Sequence, residues 1–349
     1  MPGRGCLEYP VAGMGRWSGW MDCHMVSETG CSPSSRPLHR RRFIKGMVAG
    51  LLMQPAVQPV WGGPLLDRLR ERRMGTGPSG AKGQAPDLSN VAYGPDPAQA
   101  YDVYLPHTAA IPSGQDRSPV IFMVHGGAWA VGDKSMGRVV DAKVARWCSR
   151  GFVLLSVNYR MLPEVPPDGQ LRDLALALAH AQKHAADWGA DPAQFILMGH
   201  SAGAHLVALL ATGASSAAGA AGPAVLGTVA LDSAAMDVQA IMSQPHMRLY
   251  DRPFGQDPAY WRAMSPTLQW REGTAPVLAV CSTRREDSCA QARGLVNRSL
   301  QLGVRAQWLG QDLSHGDINA QLGGDNAYTR SVEAFMATLS PRIAHRLAP

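Results

Sequence analysis

The chain has 349 residues, 46% of them hydrophobic, and a formal net charge of +6. That length holds one large domain with residues to spare for a segment outside it. Residues 1–80 contain 11 of the 33 Lys and Arg and 5 of the 27 Asp and Glu, which is the entire excess; the remaining 22 basic and 22 acidic residues balance, so the body carries no electrostatic case for nucleic acid.

Residues 1–39, rich in Gly, Ser, Met and Cys without periodicity, fit neither a signal nor a folded unit, and Met21 and Met25 are candidate later starts. The string RRRFIKG, Arg40 to Gly46, precedes a charge-free stretch from Met47 to Gly63 that is broken by Pro55 and Pro59. An Arg40–Arg41 pair, any residue, then Phe43, Ile44 and Lys45 resembles a twin-arginine export signal. The expectation is an N-terminal extension over 1–63 read by the export machinery and cleaved between Ala56 and Gly63, a linker over 64–87 that includes GTGPSG, and a folded body over 88–340 in the periplasm or outside the cell. The apolar stretch is too short and too Pro-broken to span a bilayer, so no stable membrane insertion is expected after cleavage. A basic arm or an uncleaved anchor are the competing readings.

Export places Cys6, Cys23 and Cys31 upstream of cleavage and leaves Cys148, Cys281 and Cys289 in the mature chain. In an oxidising compartment Cys281 and Cys289 are a candidate disulfide, with Cys148 a buried thiol on a helix. No Cys or His spacing suggests zinc, and His180 and His184, flanked by Gln182 and Lys183, read as a solvated helix face.

From Leu88 onward short apolar runs alternate with amphipathic ones. Tyr101 to Pro106, Val120 to Gly126, Phe152 to Arg160, Phe195 to His200, Gly227 to Ser233, Pro276 to Ser282 and Arg305 to Gly310 read as strands, several apolar throughout, as strands covered on both faces are. Met136 to Arg150, Leu171 to Trp188, Ala202 to Thr212, Ser288 to Leu302 and Asn326 to Leu339 read as helices. The alternation predicts an α/β fold, a mostly parallel sheet with helices on both faces, and places chemistry at the carboxyl ends of the strands. Gly213 to Pro223 reads as a flexible surface loop, and Met236 to Arg271, irregular and aromatic, as a small cap over a pocket.

Between the strand FILM and the helix AHLVALLAT lies GHSAG, Gly199 to Gly203, a G-x-S-x-G turn that holds Ser201 at its apex as a candidate nucleophile. A Ser hydroxyl needs a base, an orienting carboxylate and donors for an oxyanion. HGGAW, His125 to Trp129, follows an apolar strand and offers the backbone N–H groups of Gly127 and Ala128, to which Ala202 adds the N–H after the nucleophile. His315 is the candidate base, in a polar loop before the helix at 326–339. Asp287, in the loop after the strand at 276–282, is the preferred carboxylate over Glu286 and Asp312 and gives the order Ser, Asp, His. The Cys281–Cys289 pair brackets that loop, and Trp129 is a candidate wall of the substrate pocket. His200 occupies the variable slot of the pentapeptide, His205 packs along the following helix, and His125 is expected to make structural hydrogen bonds.

HGGAW and GHSAG together, with a late Asp and a late His, YDVYLP upstream and VNYR before the helix at 171–188, resemble the α/β-hydrolase superfamily, nearest to the HGG-bearing carboxylesterases of the hormone-sensitive-lipase-like and feruloyl-esterase-like groups and to kynurenine formamidases. Covering roughly Leu88 to Leu339, the resemblance implies an eight-stranded, mostly parallel sheet, no cofactor and no metal, a small-molecule ester substrate, and a serine hydrolase working through an acyl-enzyme. Ala128 stands where many lipase-like members have a third Gly, which keeps the N–H and adds a methyl to the acyl side of the pocket. The competing readings are an arylformamidase-type amide hydrolase and a non-catalytic binding protein on the same fold. No phosphate-binding Gly motif follows a strand.

Overall fold

The computed structural model describes residues 84–106, 117–214 and 224–348. The proposed signal, linker residues 64–83 and loop residues 215–223 lie outside the described residues.

Eight strands form one sheet: β1 Leu88–Ala92, β2 Ala100–Tyr104, β3 Ser118–Val124, β4 Val153–Val157, β5 Ala190–His200, β6 Gly227–Leu231, β7 Val277–Ser282 and β8 Ala306–Gln311, in the spatial order β1-β2-β4-β3-β5-β6-β7-β8. β2 runs antiparallel to both its neighbours, β1 and β4, and every other pairing is parallel. Each expected strand is present within a few residues of its predicted ends. β1 went unseen because it is an edge strand with exposed side chains and therefore no apolar pattern to read.

The apolar runs are continuous because both faces of the sheet are covered, and the period-2 geometry of a strand deals its residues out to two separate cores. Val120, Phe122 and Val124 of β3 join one core with Leu155 and Leu197, while Ile121 and Met123 join the other with Leu154, Ile196 and Met198. Helix α2 (Pro167–His184) and helix α3 (Ala202–Ala211) cover the first face, and α1 (Gly137–Cys148), through Val140, Val144 and Trp147, covers the second. Every residue of α3 is buried, which is why its sequence shows no polar stripe. Replacing a fully buried residue such as Phe122 by Ala would cost about 3–5 kcal/mol.

The cap segment becomes four short helices, α4 (Val238–Met242), α5 (Asp251–Phe254), α6 (Pro258–Ala263) and α7 (Pro266–Gln269). After them come α8 (Glu286–Gln301), α9 (His315–Ala320), α10 (Ala327–Ala337) and α11 (Pro341–Leu347). Helix α11 buries Ile343 and so carries the body past residue 340, beyond the boundary read from the sequence. Among the described residues no helix is long and apolar enough to cross a membrane.

Candidate active site

Ser201 occupies the turn between β5 and α3 with φ 57° and ψ −119°, left-handed backbone that costs a non-Gly residue about 1–3 kcal/mol. The turn is held by the Ser201 N–H donating to Leu231 O at 2.9 Å and the His205 N–H donating to Ser201 O at 3.1 Å. Helix α3 can start there only because residue 203 is Gly: a Cβ at that position would lie 2.3 Å from Val124 O and 2.5 Å from His125 O.

His315 is not in an open loop, as the sequence suggested, but is the first residue of α9, capped by Ser314, whose Oγ accepts from the Asp317 N–H. Three further contacts fix this segment: Ser282 Oγ donates to Leu313 O at 2.6 Å, His200 Nε2 donates to His315 O at 2.8 Å, and the buried Lys143 Nζ donates to Asn319 O at 2.6 Å. Burial pushes the Lys143 ammonium down to about 7. The imidazole of His315 then spans 3.0 Å from Nε2 to Ser201 Oγ on one side.

On its other side, His315 Nδ1 lies 2.6 Å from Oδ2 of Asp232, not Asp287. Asp232 directly follows β6, neighbour of the strand that carries Ser201, and its side chain is wholly buried. Its Oδ1 accepts from the Ser282 N–H at 2.7 Å and from Ser288 Oγ at 2.5 Å. Burial alone would raise this carboxyl, but the hydrogen bonds from His315, Ser288 and the Ser282 backbone overcome it and hold Asp232 well below the usual carboxylate range.

Asp287 belongs to the first turn of α8, its side chain 49% exposed, with Oδ1 accepting from the Ser288 N–H and Oδ2 lying 3.4 Å from Arg285 Nη2. The position at the end of β7 that faces the site is occupied by Ser282, and by the time the chain reaches Asp287 it has turned out to solvent. The rivals fare no better, since Glu286 is exposed and Asp312 pairs with Arg284 at the surface. The missed signal was the LDS that ends the apolar run GTVALDS, an Asp at the carboxyl end of a buried parallel strand. The chain order Ser, Asp, His survives the correction.

The Cys281–Cys289 disulfide is formed. It ties together the neighbours of Ser282 and Ser288, the two donors on Asp232 Oδ1, so its contact with the site runs through Asp232 and not through Asp287. Cys148 is a buried free thiol on α1.

The HGGAW turn brings three consecutive left-handed residues to the site, Gly127 at φ 130°, Ala128 at 53° and Trp129 at 58°. Gly127 O closes the turn by accepting from the Ala130 and Val131 N–H groups, and a Cβ on Gly127 would meet Val131 O at 1.6 Å. Ala128 and Ala202 border a cavity of about 200 Å³ together with Ser201 and His315, whereas Gly127, the third expected oxyanion donor, is not among its lining residues. Trp129, 3% exposed, walls the cavity, donating from Nε1 to His205 Nδ1 at 3.2 Å and meeting Phe254 edge to face. His205 in turn donates from Nε2 to Met264 O at 2.8 Å, so one neutral imidazole ties the HGGAW turn, the helix that follows Ser201 and the cap. Burial lowers His205 to about 4 and keeps it neutral. From the cap, Leu249 and Tyr250 complete the wall.

His125 makes the structural contacts expected of it, donating from Nδ1 to Gly126 O and stacking on Tyr159. His180 bonds Tyr101 and His184 bonds Asp187, and no cluster of metal-ligating side chains occurs among the described residues. A hydroxyl, an imidazole and a buried carboxylate in one hydrogen-bonded line can pass the hydroxyl proton to the imidazole and leave an alkoxide-like nucleophile.

Comparison with known proteins agrees with this architecture. The chain is 31% identical over 119 residues to a probable isoprenylcysteine alpha-carbonyl methylesterase of Arabidopsis thaliana, covering 34% of this chain and 23% of that protein. It is 34% identical over 108 residues to the esterase LipQ of Mycobacterium tuberculosis, covering 29% and 24%. The matched segment thus spans about a quarter of the length of these curated relatives. Among solved structures, a truncated carbohydrate esterase from gut microbiota superposes with a TM-score of 0.61 at 20% identity, covering 75% of this chain and 100% of that one. Esterase B from Lactobacillus rhamnosis gives 0.62 at 17% identity, covering 81% and 93%. The BD-FAE family model matches residues 101–285, which contain the HGGAW turn, Ser201 and Asp232, and this chain belongs to the BD-FAE family of α/β hydrolases.

Proposed function

We propose that the protein is a carboxylic-ester hydrolase in which Ser201, His315 and Asp232 act as a catalytic triad. The observation that carries the reading is the unbroken line from Ser201 Oγ through the His315 ring to the buried Asp232 carboxylate, at 3.0 and 2.6 Å. His315 Nε2 takes the Ser201 proton as Oγ attacks the ester carbonyl, and Asp232 holds the proton on Nδ1 and stabilises the imidazolium. The backbone N–H groups of Ala128 and Ala202, with Gly127 supporting the turn, receive the developing oxyanion; each such donor contributes about 3 kcal/mol to lowering the barrier. His315 then returns the proton to the departing alcohol, and a water activated by the same imidazole releases the acid from Ser201. A cavity of about 200 Å³ suits short or compact acyl groups, being smaller than the roughly 300–1,000 Å³ typical of drug-sized ligands.

The names of the curated relatives, a methylesterase and esterases, support ester over amide substrates. We extend the proposal to export of the protein. Its support is the twin-arginine pattern at Arg40 and Arg41 and a disulfide of the kind that persists in oxidising compartments.

The test is initial rates on p-nitrophenyl acetate through decanoate, a feruloyl ester and an N-formyl arylamine for the protein and its Ser201→Ala variant. Short-chain ester turnover that vanishes in Ser201→Ala is the expected result. Turnover surviving within tenfold in that variant refutes the nucleophile, and turnover confined to the N-formyl arylamine moves the protein to amide hydrolysis.

A further inference from the structure

Arg285, the residue before α8, sends its guanidinium back into the cavity wall, where it is the permanently charged cation among the lining residues. Its Nη1 is 2.9 Å from Asp232 Oδ2 and 2.8 Å from His315 Nδ1, while Nδ1 itself is 2.6 Å from the same oxygen. Two nitrogens therefore compete for one carboxylate oxygen. If Nδ1 carries its proton toward Asp232, two N–H donors face each other at 2.8 Å. If instead Nδ1 accepts from Arg285, the ring proton is on Nε2, turned to Ser201, and His315 has no lone pair with which to take the serine proton. In either state this pose of Arg285 opposes the base.

Asp232 does not need this donor. Ser282, Ser288 and His315 already supply three hydrogen bonds to it. The remaining contacts of the Arg285 side chain, with Asp287 Oδ2 at 3.4 Å and Asp232 O at 3.5 Å, are both long, and the side chain is 26% exposed. Around it the cavity is walled by Trp129, Ala234, Ala235, Leu249 and Tyr250, which offer no second charge to hold a cation. Guanidinium is the side chain best matched to a carboxylate, which it binds through two parallel N–H bonds.

We propose that Arg285 is a specificity-determining residue that binds a carboxylate carried by the ester substrate, so that the preferred substrates are monoanionic half-esters or esters of carboxyl-bearing alcohols. Engaging that carboxylate draws the guanidinium from Asp232 Oδ2 and leaves the oxygen to His315 Nδ1. The proposal rests on the serine-hydrolase reading above and adds to it the charge of the substrate.

The experiment compares kcat/KM at constant ionic strength for two matched pairs: mono-p-nitrophenyl glutarate against p-nitrophenyl pentanoate, with the charge on the acyl side, and 4-acetoxybenzoate against its methyl ester, with the charge on the leaving group. In at least one pair the anionic-to-neutral ratio should fall fivefold or more on Arg285→Gln, and Arg285→Lys should restore part of it. A smaller change in both pairs overturns the proposal. Calorimetry with the Ser201→Ala protein, which needs no turnover and no Arg285 variant, should show glutarate binding at least fivefold more tightly than glutaramide; equal affinity also overturns it. Anion binding without any Ser201-dependent turnover would sink the hydrolase reading and leave the anion site standing. Ser201-dependent turnover indifferent to charge would do the reverse.

Discussion

Replacing Asp232 by Asn separates the carboxylate found in the structure from the one expected from the sequence. The amide is nearly isosteric, and its oxygen can still accept from the Ser282 N–H and Ser288 Oγ on the Oδ1 side. On the Oδ2 side an NH2 would then face His315 Nδ1 and Arg285 Nη1, which are 2.6 and 2.9 Å from that position and are both donors. To escape a donor facing a donor, His315 must move its proton to Nε2, the nitrogen that has to receive the Ser201 proton. Loss of the correct tautomer in a triad of this type costs about 10⁴ in kcat, or about 5.5 kcal/mol of barrier. Rates on a short-chain p-nitrophenyl ester near neutral pH should therefore fall about ten-thousandfold in Asp232→Asn, whereas Asp287→Asn, altering a half-exposed surface carboxylate, should lose less than threefold. Circular dichroism and the thermal midpoint would establish that both variants are folded. An Asp287→Asn loss as deep as that of Asp232→Asn would refute the assignment.

Stability should fall with acidification through His205. Its folded-state value, about 4, is below the unfolded value of about 6.5, so the unfolded chain takes up the proton first and stability present above pH 6.5 is lost as pH drops toward 4, by up to about 3 kcal/mol. Urea unfolding at pH 7 and 4.5 should show a steeper loss in the protein than in His205→Gln, in which an amide replaces the imidazole between Trp129 and Met264; parallel losses would count against it. Removing the Cys281–Cys289 bridge by a double Ser substitution opens a loop of sequence separation 8, worth about 2–3 kcal/mol by the loop-entropy relation, and should lower the melting temperature by about 5–10 °C. Because Ser282 and Ser288 adjoin the bridge, kcat should fall as well, and an unchanged kcat would show that Asp232 is held without it. Ala128→Gly removes a methyl from a residue at φ 53° bordering the cavity, and should raise the hexanoate-to-acetate ratio of kcat/KM by severalfold; a fixed ratio would place the acyl group elsewhere.

The strands and long helices were legible in the sequence because each is set by local pattern. VIFMV and VLAV are apolar throughout because both faces of the sheet are covered, and the amphipathic stretches between them have helical spacing because each covers one face. Ser201 and the HGGAW turn were legible for the same reason, since a tight reversal needs Gly at fixed offsets and writes them into a contiguous string. The edge strand β1 and the short helix α9 left no such trace. One exposes its side chains, and the other spans only six residues, held by Ser282, His200 and Lys143 from three distant parts of the chain.

The sequence alone determined that a Ser, a late His and an acid between them meet at the carboxyl edge of a parallel sheet. Which acid it is was a tertiary matter. Asp232 and Asp287 both follow apolar strands, and only the strand order, which sets β6 beside β5 and packs Ser282 and Ser288 around the carboxylate, decides which of the two is buried against His315 and kept charged. The same holds for Arg285: its charge is plain in the sequence, but its place over the His315–Asp232 pair exists only once the strand ends have been brought together.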